Sequence, residues 1–141
     1  MNYETARNDL SNFVRTTWEA AVTAAGHAGA TLAYDNRNFT PPQDGEPWGR
    51  LTIKFASGTR ASLGSGSSAS FRRGGVLSLQ VFTKIGGSTL VDDRIADNVV
   101  EALEDAGAVG VIWFRDVHKE DIGPDRSYHQ SNIVVDFTFD R

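Results

Sequence analysis

The sequence predicts an α+β fold: a mainly antiparallel sheet with two helices packed on one face, in the order α-β-β-β-α-β-β. Two segments carry apolar residues at three- and four-residue steps, and several others alternate apolar and polar residues. The composition, with 40% hydrophobic and 23% charged residues, is ordinary for a globular protein. Because 141 residues are enough to form one core, we expect a single domain over residues 1–141.

An amphipathic helix is predicted from about residue 3 to residue 25. Asn2 is a suitable N-cap, Gly26 is a suitable end, and Arg7 and Arg15 lie beside the apolar stripe. The stripe consists of Tyr3, Ala6, Leu10, Phe13, Val14, Trp18, Ala21, Val22 and Ala25. This pattern indicates a helix that covers a core with one side.

Three strands are predicted before the second helix. Residues 30–34 form a short candidate, and residues 35–47, with three prolines, predict a loop. Residues 50–55 alternate most clearly, and residues 76–82 alternate again. Between them, residues 57–75 hold five glycines, six serines and three arginines, which predicts a flexible loop or a long hairpin.

The second helix is predicted to begin after a cap at Ser88 or Thr89 and to end at Gly107. Its inward stripe is Val91, Ile95, Val99, Leu103 and Ala106, widened by Ala96 and Val100. Its charged residues are predicted to be solvated: Asp92, Asp93, Arg94, Asp97, Glu101 and Glu104. Strands at 109–117 and 133–139 then flank a polar segment, 119–131.

Charge and composition narrow the class of protein. A formal net charge of −4 gives the chain no overall attraction to phosphate groups, so we do not expect it to bind nucleic acid or an anionic membrane. The absence of cysteine excludes disulfides, thiolate catalysis and cysteine-ligated metal. The chain shows neither an apolar run of membrane-spanning length nor a targeting segment, so we expect folding in a cytoplasm.

Candidate chemistry is sparse. The turn at residues 84–89 precedes a helix, but the order of its lysine and glycines differs from a phosphate-binding loop, which favours a turn and cap. Residues 64–68 lack the strand-to-helix turn of a nucleophilic serine. His27, His118 and His129 have no compact ligand spacing. We therefore predict no catalytic, cofactor or metal site, while a small enzyme or ligand-binding domain using the 86–89 turn remains an alternative.

Four residues are candidates for contact with another subunit or partner. Trp48 follows a proline in the predicted loop, and aromatic anchors are common in interfaces. Arg60, Arg72 and Arg73 belong to the 57–75 segment, where guanidinium groups suit pairing with carboxylates of a neighbouring subunit. The alternative role of these arginines is simple solubility.

The sequence also resembles a known family. WGRLTI at 48–53, RGGVLSLQVF at 73–82, the glycine pair at 86–87 and RIAD at 94–97 are similar to tail terminator, or tail completion, proteins of long-tailed bacteriophages, including the lambda-like minor tail family and its prophage relatives. The resemblance spans nearly the whole chain and rests on the order of its patterns.

The resemblance implies a virion structural protein with no enzymatic activity and no cofactor. It implies a hexameric ring on the last ring of the tail tube, which stops tube growth and provides the head-attachment surface. The expected partners are other copies of the chain, the tail tube protein and a head completion protein, with DNA passing through without specific binding. The expected location is the tail end near the neck, after assembly in the host cytoplasm. Another head-tail connector or stopper, or a host adaptor domain, are alternatives.

Overall fold

A computed structural model of the chain describes residues 1–60, 70–86, 89–125 and 128–140. Helix α1 spans Tyr3–Ala24 and helix α2 spans Thr89–Ala106. The strands are β1 Leu32–Tyr34, β2 Trp48–Arg60, β3 Phe71–Lys84, β4 Ala108–Val109, β5 Ile112–Asp125 and β6 Tyr128–Asp140. They form one six-stranded sheet in the order β1-β2-β3-β6-β5-β4, with only β1 and β2 parallel among the described strands. The predicted α+β fold is confirmed, with a two-residue β4 added to the expected order.

Helix α1 begins and ends near the residues that its sequence indicates. The backbone N–H of Thr5 donates a 2.8 Å hydrogen bond to Oδ1 of Asn2, the N-cap. Gly26 follows the helix with a φ of +86°, which glycine adopts without a steric penalty. The buried side of α1 consists of Ala6, Leu10, Val14, Trp18, Ala21 and Val22. The predicted stripe therefore does face the core.

The core lies between the two helices and one face of the sheet. Helix α2 contacts α1, β3, β5 and β6, and buries Ile95, Val99 and Leu103 against them. The sheet contributes alternate residues of its long strands: Leu51, Ile53, Leu77, Leu79, Val81, Ile133, Val135, Phe137 and Phe139. We call the opposite face of the sheet, which carries the intervening residues, the outer face.

Strands β2 and β3 are longer than their alternating segments. Their pairing runs from Trp48 opposite Phe82 to Arg60 opposite Phe71, with an irregularity between Phe55 and Ser57. Residues 57–60 and 71–75 of the predicted flexible segment thus lie in paired strands, while residues 61–69 lie outside the described part of the chain. The described parts of the segment are therefore the paired ends of β2 and β3.

Strands β5 and β6 form a second long hairpin. The polar segment 119–131, expected between two strands, lies largely within them, because its backbone pairs along the ladder despite its polar side chains. The register shifts between Arg115 and His118 and again between Asp121 and Gly123, and Asp116 has a φ of +51°. On its other side β5 pairs with β4 only over Ile112–Trp113. Neither described helix is both long and apolar enough to cross a lipid bilayer.

Candidate functional site

Trp48 lies in a buried aromatic cluster, which corrects its predicted place in a loop. It is the first residue of β2 and is 5% exposed. Its ring stacks on Phe82, its cross-strand partner, with centroids 4.0 Å apart, and Phe39 and Tyr128 lie 4.9 and 5.8 Å away. The Tyr128 hydroxyl donates a 2.7 Å hydrogen bond to the carbonyl of Pro42. Trp48 therefore helps to hold the 35–47 loop over the outer face.

Arg72 pairs with a carboxylate of its own chain. Its Nε and Nη2 donate hydrogen bonds of 2.9 and 3.1 Å to the two carboxylate oxygens of Asp140, across the β3–β6 ladder. The hydrogen bond raises the pKa of Arg72 and lowers the pKa of Asp140. Both side chains are more than half exposed, so solvent screens the pair and it contributes little to stability.

The other two predicted interface arginines lie over aromatic rings. The guanidinium carbon of Arg73 is 4.5 Å from the centre of the Tyr3 ring, and that of Arg60 is 5.8 Å from the centre of the Phe71 ring. Arg60, Arg72 and Arg73 all lie at the same end of the β2–β3 hairpin. The structure therefore places these three residues at one end of the hairpin, with Arg72 and Arg73 on opposite faces of the sheet, while Trp48 lies at the opposite end of β2.

A buried charged cluster links α2 to the β5–β6 hairpin. Asp92 was predicted to be solvated, and this is wrong: it is fully buried. The Ser131 hydroxyl donates a 2.6 Å hydrogen bond to Asp92 Oδ1, and Lys119 Nζ lies 3.2 Å from Asp92 Oδ2. The same ammonium lies 2.8 Å from Asp93 and 2.6 Å from Asp121. We call Asp92, Asp93, Lys119, Asp121 and Ser131 the Lys119 cluster.

Lys119 offsets part of the negative charge of this cluster, which holds three carboxylates and one ammonium group. Burial lowers the pKa of Lys119, but hydrogen bonds to Asp121 and Asp93 and the charge of Asp92 outweigh burial, so the pKa is raised. Ligand atoms of Asp92, Asp121 and His129 lie within 4.8 Å of one another, a spacing that suits a metal ion. The ammonium group already supplies the positive charge there, which favours a structural role for the cluster.

The contacts within the cluster differ from those of a nucleophilic triad. A triad needs the serine hydroxyl to contact a histidine that is oriented by a carboxylate. Here Asp92 lies between the other two, since Ser131 donates to its Oδ1 and His129 Nε2 is 3.7 Å from its Oδ2. Among the described residues, the Ser131 hydroxyl therefore contacts a carboxylate and not a histidine.

A polar cleft lies between α1 and the β1–β2 edge of the sheet. Its volume is about 450 Å³, and its lining includes Arg7, Arg15, Arg37, Tyr34 and Asp35. Nη1 of Arg7 donates a 3.1 Å hydrogen bond to the carbonyl of Ile53, and the Arg37 guanidinium lies 5.3 Å from the centre of the Tyr34 ring. We call this concavity the arginine cleft. Sequence analysis placed Arg7 and Arg15 beside the apolar stripe but missed the cleft, because Arg37 joins them only through tertiary structure.

Two neighbouring apolar side chains are exposed at the start of β5. Trp113 is 62% exposed and Val111 is 52% exposed. Trp113 pairs with Thr138 and lies on the outer face. Its prediction as a strand residue is confirmed, and Trp18 is in the core as expected.

These features define a small α+β protein whose arginine, carboxylate and aromatic groups serve packing and surface contact. The sequence matches the family of phage tail terminator proteins over residues 13–133. The chain therefore belongs to the phage tail terminator family and is a structural protein of a bacteriophage tail. The family predicted from the sequence is confirmed.

A solved structure has a similar fold. One solved chain, 20% identical in sequence, aligns with a TM-score of 0.50 over 92% of this chain and 94% of its own length. A chain from the virion of a native gene transfer agent particle, 13% identical, aligns with a TM-score of 0.44 over 93% of this chain and 91% of its own. A search of curated proteins finds no match.

Proposed function

We propose that this protein caps the end of a long tail tube as a ring, stops tube polymerisation and provides the surface to which the head attaches. Membership of the tail terminator family, over residues 13–133, is the observation that carries the proposal. The expected ring is a hexamer. Its partners are other copies of the chain, the tail tube protein and a head completion protein.

The physical requirement for a cap is two dissimilar faces. A tube grows because each added ring presents the surface that binds the next ring, so a cap must match the tube on one side and differ on the other. The fold supplies dissimilar surfaces. The helices carry exposed charges, whereas the outer face carries Trp113 and the covering 35–47 loop.

The four residues predicted to contact a subunit or partner have two different roles in this proposal. Arg60, Arg72 and Arg73 lie together near the end of the β2–β3 hairpin, where they are proposed to contact a neighbouring subunit or partner. Trp48 is proposed to act indirectly, since it packs beneath the loop that would make the contact. DNA is proposed to pass through the ring without specific binding, and the ring to sit at the neck end of the tail after assembly in the host cytoplasm.

Electron microscopy of tails assembled without this protein tests the proposal. Tubes of uncontrolled length are expected, and supplying the purified protein during assembly is expected to restore a uniform length. Tails of normal length in its absence would refute it. Binding assays with purified tails and purified heads form the second measurement, because binding to heads alone would assign the protein to the head-tail connector class instead.

A further inference from the structure

The arginine cleft and α2 carry opposite charges on different parts of the surface. We propose that the arginine cleft receives the acidic face of α2 from a second copy of this chain, so that copies join head to tail. This inference rests on the proposed function, because it names the surfaces through which ring subunits would meet.

The cleft has the chemistry to bind carboxylates. Arg7, Arg15 and Arg37 line it, and all three are exposed. Arg15 also forms an ion pair with Glu19 one turn along α1, at 3.7 Å, but both side chains are more than half exposed, so this pair is weak and open to exchange. Among the described residues that line the cleft, Asp35 alone carries a carboxylate, and its Oδ1 accepts a 3.0 Å hydrogen bond from the Thr52 hydroxyl. Guanidinium groups form directional paired hydrogen bonds with carboxylates, so a positive concavity in a protein of net charge −4 favours an acidic occupant.

Helix α2 has an acidic stripe, with a single arginine, the exposed Arg94, one turn before Asp97 on the same side of the helix. The stripe consists of the exposed residues Asp97, Glu101, Glu104 and Asp105. It lies on the side of α2 opposite the buried residues Ile95, Val99 and Leu103. Within the described ranges, none of the four carboxylates forms an ion pair.

The position of the stripe along the helix is unfavourable for the free subunit. Glu104 and Asp105 lie in the last turn of α2, which contains no basic residue. The helix dipole puts partial negative charge at this end, so acidic side chains there are destabilising. Arginines from another subunit would relieve this repulsion, which is why the stripe is better explained by a contact than by solvation alone.

The two surfaces lie on different sides of the subunit. Arg7 and Arg15 are on the flank of α1 that faces β1 and β2, whereas Phe13, on the other flank, packs 5.8 Å from Phe114 of β5. Helix α2 contacts β5 as well, so it lies on the Phe13 side of α1. A subunit with different complementary patches on two sides forms heterologous contacts, which produce closed rings when the rotation between copies allows closure.

Disulfide cross-linking tests the contact directly, because the chain has no cysteine of its own. Asn12→Cys places a thiol in the cleft, and Glu101→Cys places one on the stripe. The protein carrying both is expected to form covalent multimers under mild oxidation, alone or on purified tails. The matched control, Asn12→Cys with Lys54→Cys, puts the second thiol on the outer face and is expected to form none. Equal cross-linking by both pairs, or none by the first pair, would overturn the inference.

Charge reversal gives a second test with a built-in rescue. Arg15→Glu with Arg37→Glu reverses the cleft, and Asp97→Lys with Glu101→Lys reverses the stripe. Each variant alone is expected to self-associate at least about tenfold more weakly than the wild type, measured by sedimentation. If the free wild-type protein is monomeric, the same comparison is made for assembly on purified tails. An equal mixture is expected to recover association, because every contact in an alternating ring then joins opposite charges.

The outcomes separate this inference from the proposed function. Wild-type association by both reversed variants, with normal tail capping, would overturn the interface and leave the terminator function standing. A wild-type protein that stays monomeric both free and on tails would also overturn the interface. If the reversed cleft abolished binding to duplex DNA while self-association stayed normal, the occupant would be phosphate and not a second copy. If the wild-type protein failed to control tail length, the proposed function would be overturned, whatever the cross-linking and sedimentation results.

Discussion

The hydroxyl of Ser131 donates a 2.6 Å hydrogen bond to the buried carboxylate of Asp92, and this bond joins β6 to the first turn of α2. Lys119 of β5 approaches the same carboxylate from 3.2 Å. Three elements, α2, β5 and β6, therefore meet at one negative charge. Because a buried charge needs partners, the position of α2 on the sheet depends on this contact.

Replacing Lys119 should destabilise the fold. Lys119→Met leaves Asp92 buried without its counterion, and we expect a loss of about 2–3 kcal/mol in the free energy of unfolding, measured in urea. The control Lys54→Met removes an exposed lysine and should change stability by less than about 0.5 kcal/mol. Adding Asp92→Asn to Lys119→Met should recover part of the loss, because the buried site is then neutral. Equal stability of the two lysine variants would contradict a structural role for the cluster.

Stability should fall in acid for an identifiable reason. Hydrogen bonding to Lys119 lowers the pKa of Asp121, and hydrogen bonding to Arg72 lowers that of Asp140. Each carboxylate therefore stabilises the folded state above its unfolded value of 3.8, and this contribution disappears as the pH falls through the lower folded value.

Thermal melting as a function of pH tests this assignment. The wild-type melting temperature should decline below about pH 4, and Asp121→Asn should make that decline shallower. The contribution of Lys119 to stability depends on pH in the opposite direction, because folding raises its pKa. This contribution is complete below its unfolded pKa of 10.5 and is lost only as the pH rises through the higher folded pKa. An identical acid profile for Asp121→Asn and the wild type would remove Asp121 from this explanation.

Replacing Gly75 with alanine should destabilise the fold. A Cβ there would lie 2.1 Å from the carbonyl oxygen of Lys54 and 2.8 Å from the Phe137 ring. Gly75→Ala must therefore shift the β2–β3 backbone, and we expect a loss of about 1–3 kcal/mol in unfolding free energy. Gly58→Ala, in the same hairpin with open space around its Cβ, is the matched control and should stay within about 0.5 kcal/mol. A similar loss in both would show that the close approach at Gly75 does not set the effect.

Arg72 could act through its ion pair with Asp140 or through contact with a neighbouring subunit, and exchanging the two charges of the pair distinguishes these roles. Arg72→Glu with Arg73→Glu should leave a folded monomer that fails to assemble on tails. Arg72→Asp with Asp140→Arg restores the internal pair with its charges exchanged. If Arg72 contacts a neighbouring subunit, the exchanged protein should still fail to cap tails in electron microscopy. Restored capping would show that only the internal pair matters.

The helices and strand centres were predictable because their signals are local. The stripe of α1 and the caps at Asn2 and Gly26 follow from short-range periodicity and backbone chemistry, and the structure has them. Strand ends were less predictable. Residues 57–60 and 119–125 pair through backbone groups, which leave no apolar alternation in the sequence.

The sites depend on contacts that no local pattern contains. Asp92 looks like one more solvated acid on α2, because Lys119 and Ser131 lie 27 and 39 residues further along the chain. Trp48 looks like a loop residue, because the rings that bury it, Phe82 and Tyr128, belong to other strands. The resemblance to the tail terminator family depends on the order of patterns along the chain. That order does not change when the predicted environment of a single side chain, such as Asp92 or Trp48, is wrong.

The irregular edge of β5 is a poor template for an incoming strand. Beyond Trp113 its outward side lacks a partner strand among the described residues, and such an edge normally templates pairing with foreign strands. Two register shifts, the left-handed backbone of Asp116 and the charged residues Lys119 and Asp121 interrupt the regular row of amides and carbonyls that an incoming strand needs. We therefore expect a subunit with this edge to pair poorly with further strands.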